Sequence, residues 1–75
     1  MTEIAPHIVV DDGIHSGRAV IKGTRVPVDV LLGQLAAGLT ADAVAEEYGV
    51  TRDDVFAALA YAAKTLGNEE IRATG

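Results

Sequence analysis

The stretch Val20-Ile21-Lys22-Gly23-Thr24-Arg25-Val26-Pro27-Val28 separates two kinds of sequence, and it limits what the chain can fold into more than any other feature. Before it, branched residues come in short runs broken by Asp12-Gly13 and Ser16-Gly17, the pattern of extended chain and turns. After it, apolar residues recur at helical spacing. The junction has its own logic. Gly23 accepts a backbone conformation that a Cβ would resist. Val26 precedes a proline and is pushed out of the α region. Pro27 suits a first helical position, and Asp29 then falls in the first turn, where negative charge is favoured. The segment also carries Lys22 and Arg25, with Arg18 close upstream. It reads either as a plain strand-to-helix turn or as a small basic lip facing a partner.

Seventy-five residues make one domain. A core this small supplies only about 3–5 kcal/mol net, so small domains commonly draw on disulfides, metals or self-association. There is no cysteine, and His7 and His15 have no ligand spacing between them, which leaves a homodimer as the expected extra support. No metal or cofactor is expected. No run approaches the roughly 20 apolar residues of a membrane helix. The start Met1-Thr2-Glu3-Ile4-Ala5-Pro6 lacks the basic and apolar regions of a signal peptide, so a cytoplasmic protein with no membrane partner is expected. The formal net charge of −5 argues against indiscriminate binding to nucleic acid, which rests on phosphate attraction.

In chain order, residues 1–6 read as a flexible tail and 7–26 as extended segment and turn. Residues 27–66 form the helical core, and 67–75 a C-terminal tail. His7-Ile8-Val9-Val10 and Arg18-Ala19-Val20-Ile21 could pair antiparallel across a loop too long for a tight hairpin. A first helix is predicted from Pro27 to Ala37, with Val28, Leu31, Leu32 and Leu35 as one apolar stripe. Gly38 stops it, Thr40 caps a second helix over Ala41–Tyr48, and Gly49 ends that one. Thr51 caps a third helix from Arg52 to about Thr65, with Asp54 completing a near capping box. Gly67-Asn68 should break it, with one more turn possible over Asn68–Arg72.

The spacing from Ala41 to Tyr61 suggests a helix-turn-helix. Val44 and Tyr48 lie one turn apart beside small Ala45, and Gly49-Val50-Thr51 is a short turn with an apolar middle residue. Val55, Ala58, Leu59 and Ala62 then form a stripe on the third helix. Charge argues the other way. Residues 40–61 hold five acids (Asp42, Glu46, Glu47, Asp53, Asp54) against Arg52 alone, a local net of −4 that would repel phosphates. Phe56, Ala57, Ala60 and Tyr61 lie on the other side of the same helix, leaving it apolar nearly all round. Cover from another subunit at Phe56, Ala60 and Tyr61 would explain that, and so would shelter from the N-terminal ribbon.

The residues Gly17-Arg18-Ala19-Val20-Ile21-Lys22-Gly23-Thr24-Arg25-Val26-Pro27-Val28, then Leu39-Thr40, then Ala57-Ala58-Leu59-Ala60-Tyr61-Ala62 resemble the bacterial and archaeal family called domain of unknown function 433. The resemblance covers roughly residues 7–63. It implies a mainly α fold: a three-helix, homeodomain-like helix-turn-helix bundle with a short N-terminal extended or β-hairpin segment. It also implies an antitoxin of a toxin–antitoxin pair, whose partner would be a PIN-like nuclease. Two departures stand out. Members often carry proline at the position of Ala19, and they often lead into the last helix with Tyr-Pro-x-Leu-Thr, where this chain has the shorter Tyr48-Gly49-Val50-Thr51.

Three functions compete. An antitoxin would bind a nuclease, placing carboxylates where RNA would lie, with Asp53, Asp54, Glu46, Glu47, Glu69 and Glu70 available, and could repress its own operon. A DNA-binding regulator acting alone would probe operator DNA with Thr51 and Arg52, and hold phosphates with Arg18, Lys22, Thr24 and Arg25. What separates these two is whether the basic lip and the start of the third helix share one face. An enzyme is disfavoured, since no catalytic constellation stands out.

Overall fold

A computed structural model describes residues 1–69. Three short strands, β1 (Thr2–Ala5), β2 (Ile8–Val10) and β3 (Ala19–Ile21), form an antiparallel sheet in the order β1-β2-β3. Three helices follow: α1 (Val28–Ala36), α2 (Ala41–Tyr48) and α3 (Arg52–Gly67).

The expected pair of extended segments is present, with Ile8 opposite Ile21 and Val10 opposite Ala19. The tail expected over residues 1–6 is instead a third strand, with Thr2 opposite Val10 and a register irregularity between Glu3 and Ala5. Pro6 and His7 make the turn between β1 and β2, and His7 takes a positive φ of 69°. That conformation is strained for a residue with a Cβ. It persists because His7 is held from two sides: its carbonyl accepts from Lys22 N at 2.7 Å, and its ring reaches Asp54.

The junction forms a tight turn. Thr24 N donates to Ile21 O at 3.0 Å, and Gly23 has the positive φ expected of it, 79°. The Thr24 hydroxyl donates to Ile21 O and accepts from Val26 N, so the turn satisfies itself. Pro27 is not the first helical residue: with ψ at 141° it stands just outside as the N-cap, and its backbone bridges to Val20. Residues 22–27 thus carry the chain from β3 through a turn into α1.

The helix ends follow local chemistry. Thr40 accepts from Ala43 N at 3.1 Å, and Gly49 closes α2 in the left-handed region at φ 68°. α3 ends at the expected Gly67-Asn68 break, two residues beyond Thr65: Gly67 is its last residue and Asn68 its C-cap. The further turn expected over Asn68–Arg72 lies largely outside the described residues.

The core gathers Ile8 and Ile21 from the sheet with Val28, Leu31, Val44, Ala45, Val55 and Ala58 from the helices. α3 packs against α2, α1 and β2. Leu59, expected in the buried stripe, is 39% exposed, and Ala62 is only half-buried. The cause is rotation about the helix axis: fully buried Ala58 directly precedes Leu59, and Ala57 and Tyr61 pack against the core on its other side, so Leu59 and Ala62 fall at the edge of the buried face.

Candidate functional site

The start of α3 is a closed polar cluster. Asp54 N donates to the Thr51 hydroxyl and Thr51 N to Asp54 Oδ2, each at 3.0 Å, a reciprocal capping box built with Asp. The other carboxylate oxygen, Oδ1, accepts from His7 Nδ1 at 2.7 Å. Burial pushes the Asp54 carboxyl up, but the hydrogen bonds from His7 and Thr51 outweigh it and hold the group below its usual range. Arg52 Nε lies 3.5 Å from Asp42 Oδ1, and its guanidinium sits over the Phe56 ring at 5.3 Å.

The basic residues are similarly occupied. Lys22 Nζ donates to Glu3 Oε1 at 3.0 Å, and that hydrogen bond with the lysine's charge lowers the Glu3 carboxyl. Arg18 pairs with Asp29, whose carboxyl it holds below the usual range. Thr24 and Thr51 spend their hydroxyls on backbone groups. Of the six residues suggested for DNA contact, Arg25 is the base without a carboxylate partner among the described residues. Its carbonyl accepts from His15 Nε2 at 2.9 Å, which pins its backbone.

The six do not make one basic face. Lys22 lies beside the start of α3, because its N–H bonds the His7 carbonyl and the His7 ring bonds Asp54. What α3 presents there is a carboxylate. Arg52, two residues earlier and about 200° round the helix, turns toward α2 instead. Arg18 belongs to the opposite end, where it shares a groove with Tyr61, Ala62, Thr65 and Leu66, about 14–21 Å along α3 from Arg52.

The three residues suggested for a subunit interface are also split. Phe56 is 46% exposed, with Arg52 over one face of its ring. Ala60 is exposed, whereas Tyr61 is half-buried and forms the wall between two apolar grooves. One groove, of about 400 Å³, lies between the start of α1 (Val28, Leu32) and the end of α3. The other, of about 260 Å³, lies between β1 (Ile4, Ala5) and α3 (Ala57, Ala60, Lys64). Sequence reasoning missed the first groove and the His7–Asp54 contact. An i, i+7 continuation from Leu59 to Leu66 was the available signal for the groove; a hydrogen bond spanning 47 residues leaves none.

Among the described residues, no cluster of three or more potential metal ligands occurs and no helix is long and apolar enough to cross a membrane. What the fold defines is a small three-helix domain with an N-terminal three-stranded sheet, whose side chains meet in ion pairs and apolar grooves. The family model described as "Protein of unknown function (DUF433)" matches residues 8–62, and the chain belongs to that family. It is also similar to Rv2018 from Mycobacterium tuberculosis, known from an X-ray crystal structure, with 44% identity and a TM-score of 0.65. That match covers 69% of this chain and 24% of the other, so the shared domain is about a quarter of a longer protein. No curated protein matches significantly.

Proposed function

We propose that this domain acts by binding rather than catalysis, as the antitoxin of a toxin–antitoxin pair that neutralises a PIN-like nuclease and contributes to repression of its own operon. The observation that carries this reading is the imbalance of surface charge. Arg18, Lys22 and Arg52 already hold carboxylates, while Glu46, Glu47 and Asp53 stand exposed on α2 and at the start of α3. Such a surface favours a basic protein over a phosphate backbone, and the approach to an RNA-cleaving site is basic. The resemblance to antitoxins of this family points the same way. The test is co-expression with a PIN-like nuclease encoded beside the gene, followed by purification of the pair and assay of RNA cleavage. Stoichiometric loss of cleavage is expected; a nuclease that ignores the domain overturns the reading.

A stand-alone DNA regulator is the second reading. Its support is the Gly49-Val50-Thr51 turn between α2 and α3, which fits a homeodomain-like helix-turn-helix. On the charge argument the free protein should bind duplex DNA more weakly than about 10 μM at physiological salt. Arg25→Ala should then weaken the residual binding more than Lys22→Ala, because Lys22 is already paired.

A further inference from the structure

We infer that the groove between the start of α1 and the end of α3 is a self-association surface, filled by the same surface of a second copy of this chain. The inference goes beyond the antitoxin reading and holds without it.

The first ground is the stripe on α3. Val55, Leu59, Ala62 and Leu66 follow one another at i, i+4, i+7 and i+11, so they lie on one face of the helix. At the start of that face Val55 is fully buried, but Leu66 is 62% exposed. Leu66 therefore continues the Val55 side of α3 beyond the residues that pack into the core. Lone exposed leucines are ordinary; this one borders a groove of about 400 Å³ with Val28, Leu32, Tyr61 and Ala62. That volume lies within the range of pockets that enclose whole organic ligands.

The second ground is self-complementarity. A two-fold interface uses one patch twice, so the patch must hold both a hollow and something to fill it. Here the hollow and the projecting Leu66 are side by side. The third ground is charge. Two copies of a chain with net charge −5 repel over most of their surfaces. The charged side chains lining this groove are Arg18 and Asp29, one of each sign, already paired and both substantially exposed. Across a two-fold axis that couple is complementary to itself: Arg18 meets the partner's Asp29, and Asp29 meets the partner's Arg18. A basic protein partner would instead be drawn to the carboxylates of α2 and the start of α3, at the other end of the molecule.

Sedimentation equilibrium of the purified chain, with three variants, tests this. The wild type should dimerise reversibly, and Leu66→Asp should weaken the dimer about tenfold or more while the single chain still folds, since Leu66 has little intrachain cover. Arg18→Asp alone places two acids against two, and Asp29→Arg two bases against two, so each should dissociate. An equimolar mixture of the two should recover dimers, which an ion pair confined within one chain would not produce. A wild type that stays monomeric overturns the inference, as does an unweakened Leu66→Asp dimer or a mixture that fails to associate. If Leu66→Asp leaves self-association intact but abolishes capture of the nuclease, the groove serves that partner and the inference falls.

Discussion

The two ends of α3 differ among the described residues: near its N-terminus Val55 and Ala58 are fully buried, whereas near its C-terminus Leu66 on the Val55 side is 62% exposed. Around Thr51–Phe56 the polar groups close on one another: the capping box, the His7–Asp54 bond, the Arg52–Asp42 pair and the ring of Phe56 under its arginine. Around Tyr61–Leu66 the stripe borders the start of α1, and two apolar grooves open on either side of Tyr61. A helix-turn-helix reader would make its contacts from the first end. In this chain that end carries the capping box, the His7 bond, exposed acid and a half-exposed Phe56 under Arg52, while two apolar grooves lie at the second. The difference teaches that the burial of one helix can change along its length even where its apolar pattern does not.

The widest gap between the two ends should appear on truncating the stripe. Val55→Ala removes a fully buried side chain and should cost about 2–3 kcal/mol, seen in chemical denaturation as a lower midpoint with unchanged slope. Leu66→Ala, on the same face, should stay within about 0.5 kcal/mol for the single chain at high dilution. Equal losses would mean the two ends are equally covered.

Next in size is the cap. Thr51→Ala removes the acceptor of Asp54 N and should cost about 1 kcal/mol, or about 4–8 °C in a thermal melt of a domain this small.

Acid should act on the same end. Asp54 has a folded pKa below its unfolded value of about 3.9, so its contribution is fully present above that value and is lost as pH falls through the folded one. Melts between neutral pH and about pH 3 should show stability falling below about pH 4, and Asp54→Asn should flatten that fall. An acid limb unchanged in the variant would mean that Asp54 does not carry it. The smallest effect belongs to the C-terminal end. Gly67 has an ordinary φ and open space where an alanine methyl would stand, so Gly67→Ala should raise the melting point by the equivalent of about 0.5 kcal/mol.

The helices were legible in the sequence because their signals are local. Thr40, Gly49 and the Thr51/Asp54 box act within three or four residues, and α2 has the bounds they predict. The Ile8–Val10 and Ala19–Ile21 pair was legible from its branched residues. β1 was not, because Thr2-Glu3-Ile4-Ala5 becomes a strand only by pairing with β2. The candidate contacts failed to gather for the same reason. Lys22 meets Glu3 across 19 residues and His7 meets Asp54 across 47, and no spacing rule reaches that far. The exposure of Leu59 follows from which side of α3 the core takes, Val55 and Ala58 with Ala57 and Tyr61 beside them, and an all-round apolar helix does not announce that choice.

The contrast between the two ends is tested most directly by following backbone amide chemical shifts, residue by residue, as the protein is diluted. Self-association through the C-terminal end predicts concentration-dependent shifts at residues 61–66 and 28–32, and none at residues 51–56. Shifts concentrated at 51–56, or a spectrum that does not change with concentration, would contradict it.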